Sequence, residues 1–149
     1  PVHLDNFFKI LPLERRAWRE KNGVEKVVGT SEIDWEAVQK TVEDFKNGRI
    51  CSMPCVDLVT EQVDTLTTDF KDINMLVLDG LYAINTEGVD LVVFIELTYH
   101  ETKKAQISRG KEKADALRMQ TLEAEHKAVQ SLRPKADLLV NKNYELVKA

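Results

Sequence analysis

The stretch Met75-Leu76-Val77-Leu78-Asp79-Gly80 is four apolar residues running into an aspartate and a glycine. A second stretch, VHLDNFF from Val2 to Phe8, does the same near the start of the chain. A carboxylate is costly to bury alone, so each aspartate calls for a partner: a metal ion, a substrate hydroxyl or a lysine. In open α/β sheets, ligands sit beyond the carboxyl ends of the strands, so Asp5 and Asp79 would face one crevice. Aspartate also caps helices and turns, and that role alone would account for either residue. Two of them, on separate apolar strands, favour a shared functional role.

Outward from these two strands the chain alternates elements. Val2 to Leu4 reads as a strand, Pro12 to Glu20 as a helix, and Asn22 to Thr30 as a loop. Ser31 to Asn47 is predicted helical, because Ile33, Ala37, Val38, Thr41, Val42 and Phe45 recur at helical spacing and Gly48 follows as a stop. Arg49 to Val59 and Val63 to Phe70 are rich in β-branched residues on either side of a polar turn, which predicts a hairpin. Met75 to Leu78 and Leu91 to Leu97 are nearly continuous apolar runs, the pattern of parallel strands covered on both faces. Glu101 to Leu132 reads as a long charged helix broken near Gly110, and Leu138 to Val140 and Glu145 to Val147 as closing strands. Alternation of this kind predicts an α/β fold with a parallel sheet, a hairpin insertion over about 49–70, and one domain across 1–149.

The bulk properties exclude several classes. The chain has 149 residues, is 43% hydrophobic and 31% charged, and carries a net charge of −4, so it is an ordinary globular sequence with no basic run for nucleic acid. No apolar stretch approaches the roughly 20 residues that span a bilayer. Cys51 and Cys55 are the only cysteines, and a CxxxC pair without histidine neighbours reads as two reduced thiols of a cytoplasmic protein rather than a zinc site. His3 is expected to be packed or at a strand edge, and His100 and His126 are too scattered in sequence to suggest a metal site. Trp18 and Trp35 read as core or helix anchors. The chain opens at Pro1 already within a strand, from which we expect a domain whose first portion lies upstream.

The segments Asp5-Asn6-Phe7-Phe8, Ile33-Asp34-Trp35, Pro54-Cys55-Val56-Asp57 and Leu78-Asp79-Gly80-Leu81, in this order, resemble the uridine kinase and phosphoribulokinase family of P-loop kinases. The resemblance implies a three-layer P-loop fold with a helical lid at about 101–118, using ATP and Mg2+ on a small-molecule acceptor, with homo-oligomerisation possible. It implies Asp5 as general base toward the acceptor hydroxyl and neighbour of the metal, and Asp79 as metal-holding residue. It makes Asp34, Phe8, Asp57 and Glu61 substrate-side residues. Arg109 would act on the phosphates both in catalysis and in nucleotide binding, joined by Arg118. Phosphoryl transfer needs such groups, because the nucleophile must be aligned and deprotonated and the charge on the transferred group neutralised.

Two departures qualify the resemblance. The phosphate-cradling G-x-x-x-x-G-K-[ST] motif is absent; in the family it precedes the position of Val2, so an incomplete N-terminus would explain this. Uridine kinases also place tyrosine and histidine where this chain has Val56 and Glu61, and Phe8 stands where a tyrosine hydroxyl is usual. Loss of such partners weakens discrimination for a base, so a nucleoside or another hydroxylated metabolite, sugar-like or polyol, is the expected acceptor. The alternative is a non-catalytic regulatory module that retains the fold.

Overall fold

The computed structural model describes residues 1–57, 59–101 and 115–149. Its elements run β1 (Val2–His3), a 3-10 turn (Leu4–Phe7), α1 (Pro12–Asn22), α2 (Val24–Val27), a 3-10 turn (Thr30–Glu32), α3 (Trp35–Lys46), β2 (Ile50–Val56) and β3 (Val63–Asp69). There follow β4 (Leu78–Asp79), a 3-10 turn (Ala83–Asn85), β5 (Val93–Ile95), α4 (Ala116–Leu132), a 3-10 turn (Arg133–Lys135), β6 (Leu138–Val140) and β7 (Leu146–Lys148). The described residues are thus mixed α/β. Arg109, Gly110 and most of the expected lid lie outside them.

Strand pairing is parallel where the apolar runs predicted it. β1 lies parallel to β4, with Val2 opposite Leu78 and His3 opposite Asp79, and β5 lies parallel to β6. β7 returns antiparallel to β6, and β2 and β3 form a separate seven-pair hairpin from Ile50–Asp69 to Val56–Val63. Among the described residues the hairpin thus stands apart, as expected of an insertion, while the single parallel sheet expected is two pieces, β1-β4 and β5-β6-β7.

The expectation that both faces of the apolar runs are covered is not met. Leu76, Leu78 and Phe94 turn inward, whereas Met75, Val77, Val93 and Ile95 alternate outward, with Met75 77% and Ile95 58% exposed. A strand that alternates in burial has one packed face and one bare face.

The core gathers around the two aspartate-bearing segments. Leu4 and Phe7 from the first 3-10 turn join Val2, Ile33, Val38, Cys51, Met53, Phe70, Tyr82 and Leu132 in one buried cluster. Each large apolar side chain so buried contributes about 1.5–3 kcal/mol. This burial ends β1 early: the chain turns at Leu4 so that both Leu4 and Phe7 point into the core, which leaves Asp5 exposed between them.

Helix α3 starts at Trp35 rather than Ser31, because Asp34 caps it by accepting from Ala37 N–H at 3.1 Å. Ser31 belongs instead to the preceding 3-10 turn, and the loop expected over 22–30 contains α2. Trp35 anchors this corner, its indole N–H donating to the Thr30 carbonyl at 2.7 Å. Gly80 closes β4 with φ 143°, and a Cβ there would stand 2.7 Å from Leu4 Cβ. Only glycine lets the two aspartate-bearing segments approach this closely.

Candidate functional site

The parallel register of β1 and β4 decides which groups meet. His3 lies opposite Asp79, and their side chains are joined by a hydrogen bond of 2.6 Å from Nδ1 to Oδ1, both largely exposed. Of the two expected places for His3, packed or at the strand's edge, it takes the edge: it ends β1 and stands in solvent, because its neighbours Val2 and Leu4 take the inward positions. Asp5 follows two residues later, exposed and without a hydrogen-bond partner among the described residues. Asp5 and Asp79 thus sit at the same, carboxyl end of a parallel strand pair.

Backbone pairing brings Asp34 to this end as well. Asp34 N–H donates to the Phe7 carbonyl at 2.8 Å, Lys9 N–H to the Glu32 carbonyl at 2.8 Å, and Phe8 and Ile33 form an antiparallel bridge between them. One carboxylate oxygen of Asp34 is taken by the helix cap, and the side chain is exposed. Asn6 ties the hairpin to the same segment, its Oδ1 accepting from Val56 N–H at 3.1 Å.

Phe8 does not offer a free ring. It packs against the core, and the Arg15 guanidinium lies over the ring at 3.7 Å from its centroid. Burial lowers the Arg15 pKa, with Arg19 acting in the same direction and the carboxylates of Asp5, Glu32 and Glu125 opposing. Arg15 was not singled out in the sequence. Its segment, Glu14-Arg15-Arg16, reads as a solvated helix face, and only the rotation of α1 turns this side chain onto Phe8.

Asp57 and Glu61 hold the hairpin tip. Asp57 Oδ1 accepts from Val59 N–H at 2.8 Å and Thr60 N–H at 2.7 Å, and these backbone donors, that of Thr60 first, keep its carboxyl below the usual range. Glu61 N–H donates to the Asp57 carbonyl, and Glu61 has the positive φ of 57° that closes the turn. Arg118 opens α4, its backbone N–H donating to the Asp115 carboxylate at 3.0 Å, and its side chain is half-buried. Arg109 lies outside the described residues.

Behind the carboxylates is a buried charge cluster that the sequence did not reveal. Arg19 donates from Nε and Nη2 to the two carboxylate oxygens of Glu32 at 2.8 and 2.9 Å, and from Nη1 to Glu125 at 3.1 Å. All three residues are buried. Tyr82 lies fully buried with its hydroxyl unpartnered among the described residues, and burial pushes its pKa up, with Glu125 adding to the shift. The arginine is legible only as one more cation in a charged helix; nothing in the spacing marks it as inward.

The remaining sequence candidates divide. Cys51 and Cys55 are free thiols, Cys51 buried with its pKa raised by desolvation. His100 and His126, distant in sequence, stand 6.1 Å apart around Tyr99, whose hydroxyl donates to Glu123 at 2.7 Å. Among the described residues no three His, Cys, Asp or Glu side chains form a group that could hold a metal. Two exposed strand-end carboxylates nevertheless suit magnesium, which takes one or two carboxylates and completes its shell with waters and phosphate oxygens. A cleft of about 670 Å³ between α2 and α4, lined by Val28, Met119 and Ala124 among others, contains none of the candidate residues.

The fold and the carboxylate placement define an α/β protein with acidic groups at the carboxyl end of a parallel strand pair, and the comparisons with known proteins fall on kinases. The uridine kinase of Ureaplasma parvum serovar 3 is 31% identical over 83 residues, covering 53% of this chain and 40% of that protein. The uridine kinase of Ureaplasma urealyticum serovar 10 is 30% identical over the same length. The bifunctional alpha-galactosidase/sucrose kinase AgaSK of Mediterraneibacter gnavus is 26% identical over 136 residues, 86% of this chain and 14% of that protein. The alignments with the uridine kinases span less than half of those proteins' length. No family model matches the chain. The chain is therefore distantly similar to uridine kinases over about half its length. Among the described residues no helix is long and apolar enough to cross a membrane.

Proposed function

We propose that this chain is the larger part of a P-loop kinase domain that transfers the γ-phosphoryl group of ATP to a hydroxyl of a small polyhydroxylated metabolite. The observation that carries this is the parallel register of β1 and β4, which puts Asp5 and Asp79 at one strand end with Asp34 paired alongside. In this reading Asp5 takes the proton of the acceptor hydroxyl as its oxygen forms the new bond to the γ-phosphorus and the bond to ADP breaks. Asp5 suits that role because it is exposed and uncommitted to any hydrogen bond among the described residues. Asp79 would hold magnesium, with His3 donating to its other oxygen and orienting it. Magnesium held there would supply positive charge to offset that of the phosphates. Asp34 keeps one carboxylate oxygen beyond its cap bond for an acceptor hydroxyl, and Arg118 would face the phosphates; Arg109, outside the described residues, keeps the phosphate role that the resemblance implies.

Two observations support the finer parts. The exposed apolar side chains of Met75 and Val77 before β4, and of Val93 and Ile95 in β5, favour a further strand and covering layer in a longer protein, where the phosphate loop would reside. The alignment with a sucrose kinase over 86% of the chain, together with Val56 and Glu61 in the hairpin, favours a sugar over a nucleoside. The test is ATP consumption by the full-length protein against sucrose, fructose, glucose and uridine. Asp5→Asn should lower turnover by about 10²–10⁴ while leaving the melting temperature nearly unchanged. A variant within a few-fold of wild type would remove Asp5 from the base role, and a wild type that turns over no acceptor would favour the non-catalytic module.

A further inference from the structure

We propose that Arg15 is the acceptor-binding residue that selects a sugar ring over a nucleobase at this site. The inference rests on the kinase reading for the location of the acceptor, but its chemistry comes from Arg15 itself.

Arg15 is a half-buried guanidinium that pairs with no carboxylate among the described residues. Its hydrogen bonds are two long ones from Nε and Nη2, 3.4 and 3.3 Å, to the single carbonyl of Ile10. Its neighbour Arg19 shows what a satisfied arginine looks like here, with three bonds of 2.8–3.1 Å to two carboxylates. Arg15 feels the same carboxylates, and Asp5 as well, but contacts none of them. A partly desolvated cation with a free N–H edge beside the proposed base is prepared for a ligand's oxygens.

The placement also decides which ligand fits. A nucleobase would be held by stacking on an aromatic face, and Phe8 is the ring beside Asp5. Phe8 packs against the core and Arg15 covers its ring at 3.7 Å, so the face under the guanidinium is closed to a base. The stack fixes the planar guanidinium and leaves its edge as the recognition surface. That edge donates two parallel hydrogen bonds, which match adjacent hydroxyl oxygens of a sugar. Asp34, an acceptor, would take the protons of the same hydroxyls.

The test uses the full-length protein, wild type and the variants Arg15→Met and Arg15→Lys, with calorimetric binding of sucrose, fructose, glucose and uridine beside ATP turnover. Lysine keeps the charge and loses the planar fork, so it guards against a methionine variant that fails to fold. The expected result is tighter binding of at least one of these sugars than of uridine by the wild type. Both variants should then lose about tenfold or more of that sugar affinity, with ATP affinity within about twofold of wild type. Removing the guanidinium should also narrow the preference over uridine, because Phe8 is uncovered. Sugar affinity retained in both variants overturns the proposal, as does a wild type that prefers uridine or binds none of these sugars. Arg15-dependent sugar binding without phosphoryl transfer would sink the kinase reading alone, and turnover insensitive to Arg15 would sink this proposal alone.

Discussion

Gly80 shows at the scale of one residue how the aspartate segments constrain each other. Its φ of 143° is open to glycine, and an added Cβ would stand 2.7 Å from the Cβ of Leu4, itself almost wholly buried. Leu4 cannot retreat, because the core packs around it. Gly80→Ala should therefore destabilise the fold by about 1–3 kcal/mol from overpacking, with backbone strain in addition. Urea unfolding measures this, and a change below about 0.5 kcal/mol would mean that the segments separate freely. Because Leu4 immediately precedes Asp5, the same variant should lose more activity than stability. The glycine and both aspartates were legible in the sequence, since a strand that ends in Asp-Gly announces its own turn. Asp34 was legible too, though its cap bond is as plain in the pattern as any substrate role. The partners were not. His3 meets Asp79 across 76 residues of chain, and that contact exists only in one register of two strands whose pairing no local pattern specifies.

At the scale of elements, α1 is the piece whose sequence was read least completely. Pro12 at its start and its helix-forming composition predicted a helix, yet the residues that fasten it are charged ones. Arg16 pairs with Asp115, the cap of α4, and Arg19 joins Glu32 and Glu125, so α1 is bound to α4 at two points along its length. Arg19→Met would leave two buried carboxylates uncompensated and should cost about 3–5 kcal/mol, read by thermal or denaturant unfolding. A loss under 1 kcal/mol would show that water enters the cluster. Glu125 is the weaker partner, since Glu32 takes Arg19 in a bidentate grip. Burial accordingly raises the Glu125 pKa above its ordinary 4.5 despite the attraction of Arg19. A carboxyl raised in the folded state holds its proton there longer than in the unfolded chain. Its contribution to stability therefore falls as pH rises from about 4.5 through the raised value, then levels. Glu125→Gln should abolish that slope, so the difference between wild type and variant should decline over this window and flatten above it. A difference independent of pH from 4 to 8 would show equal ionisation in both states. By contrast, the hairpin was nearly complete in the sequence. Its β-branched strands flank the polar Asp57–Gln62 turn, and everything that sets its register is local.

For the whole molecule, the apolar runs carried a correct and an incorrect message. Their continuity predicted parallel strands, and the pairings of β1 with β4 and β5 with β6 are parallel. It also predicted cover on both faces, and here the described residues supply one. Met75 and Val77 beside β4, and Leu91, Val93 and Ile95 at β5, stand open to solvent while Leu76, Leu78 and Phe94 face inward. Composition cannot say which residues of a chain provide the second cover, so the sequence announced the burial without naming its source. An exposed apolar strand with free backbone edges is a template for association, which proteins normally avoid. If a further strand and helix of the complete protein occupy this face, residues 1–149 alone should bind a hydrophobic dye and self-associate at micromolar concentration. A longer protein that supplies such a layer should do neither. Hydrogen exchange gives the local measure: amides of residues 75–79 and 93–95 should exchange fast in the short chain and become protected in the longer one. Charged substitution at Val77 and Ile95 should then rescue the solubility of the short chain while destabilising the longer protein, because the same positions are surface in one and core in the other. A short chain that stays monomeric without binding dye, with exchange unaltered by the extension, would mean that this face is an ordinary solvent face and that the three-layer architecture does not apply.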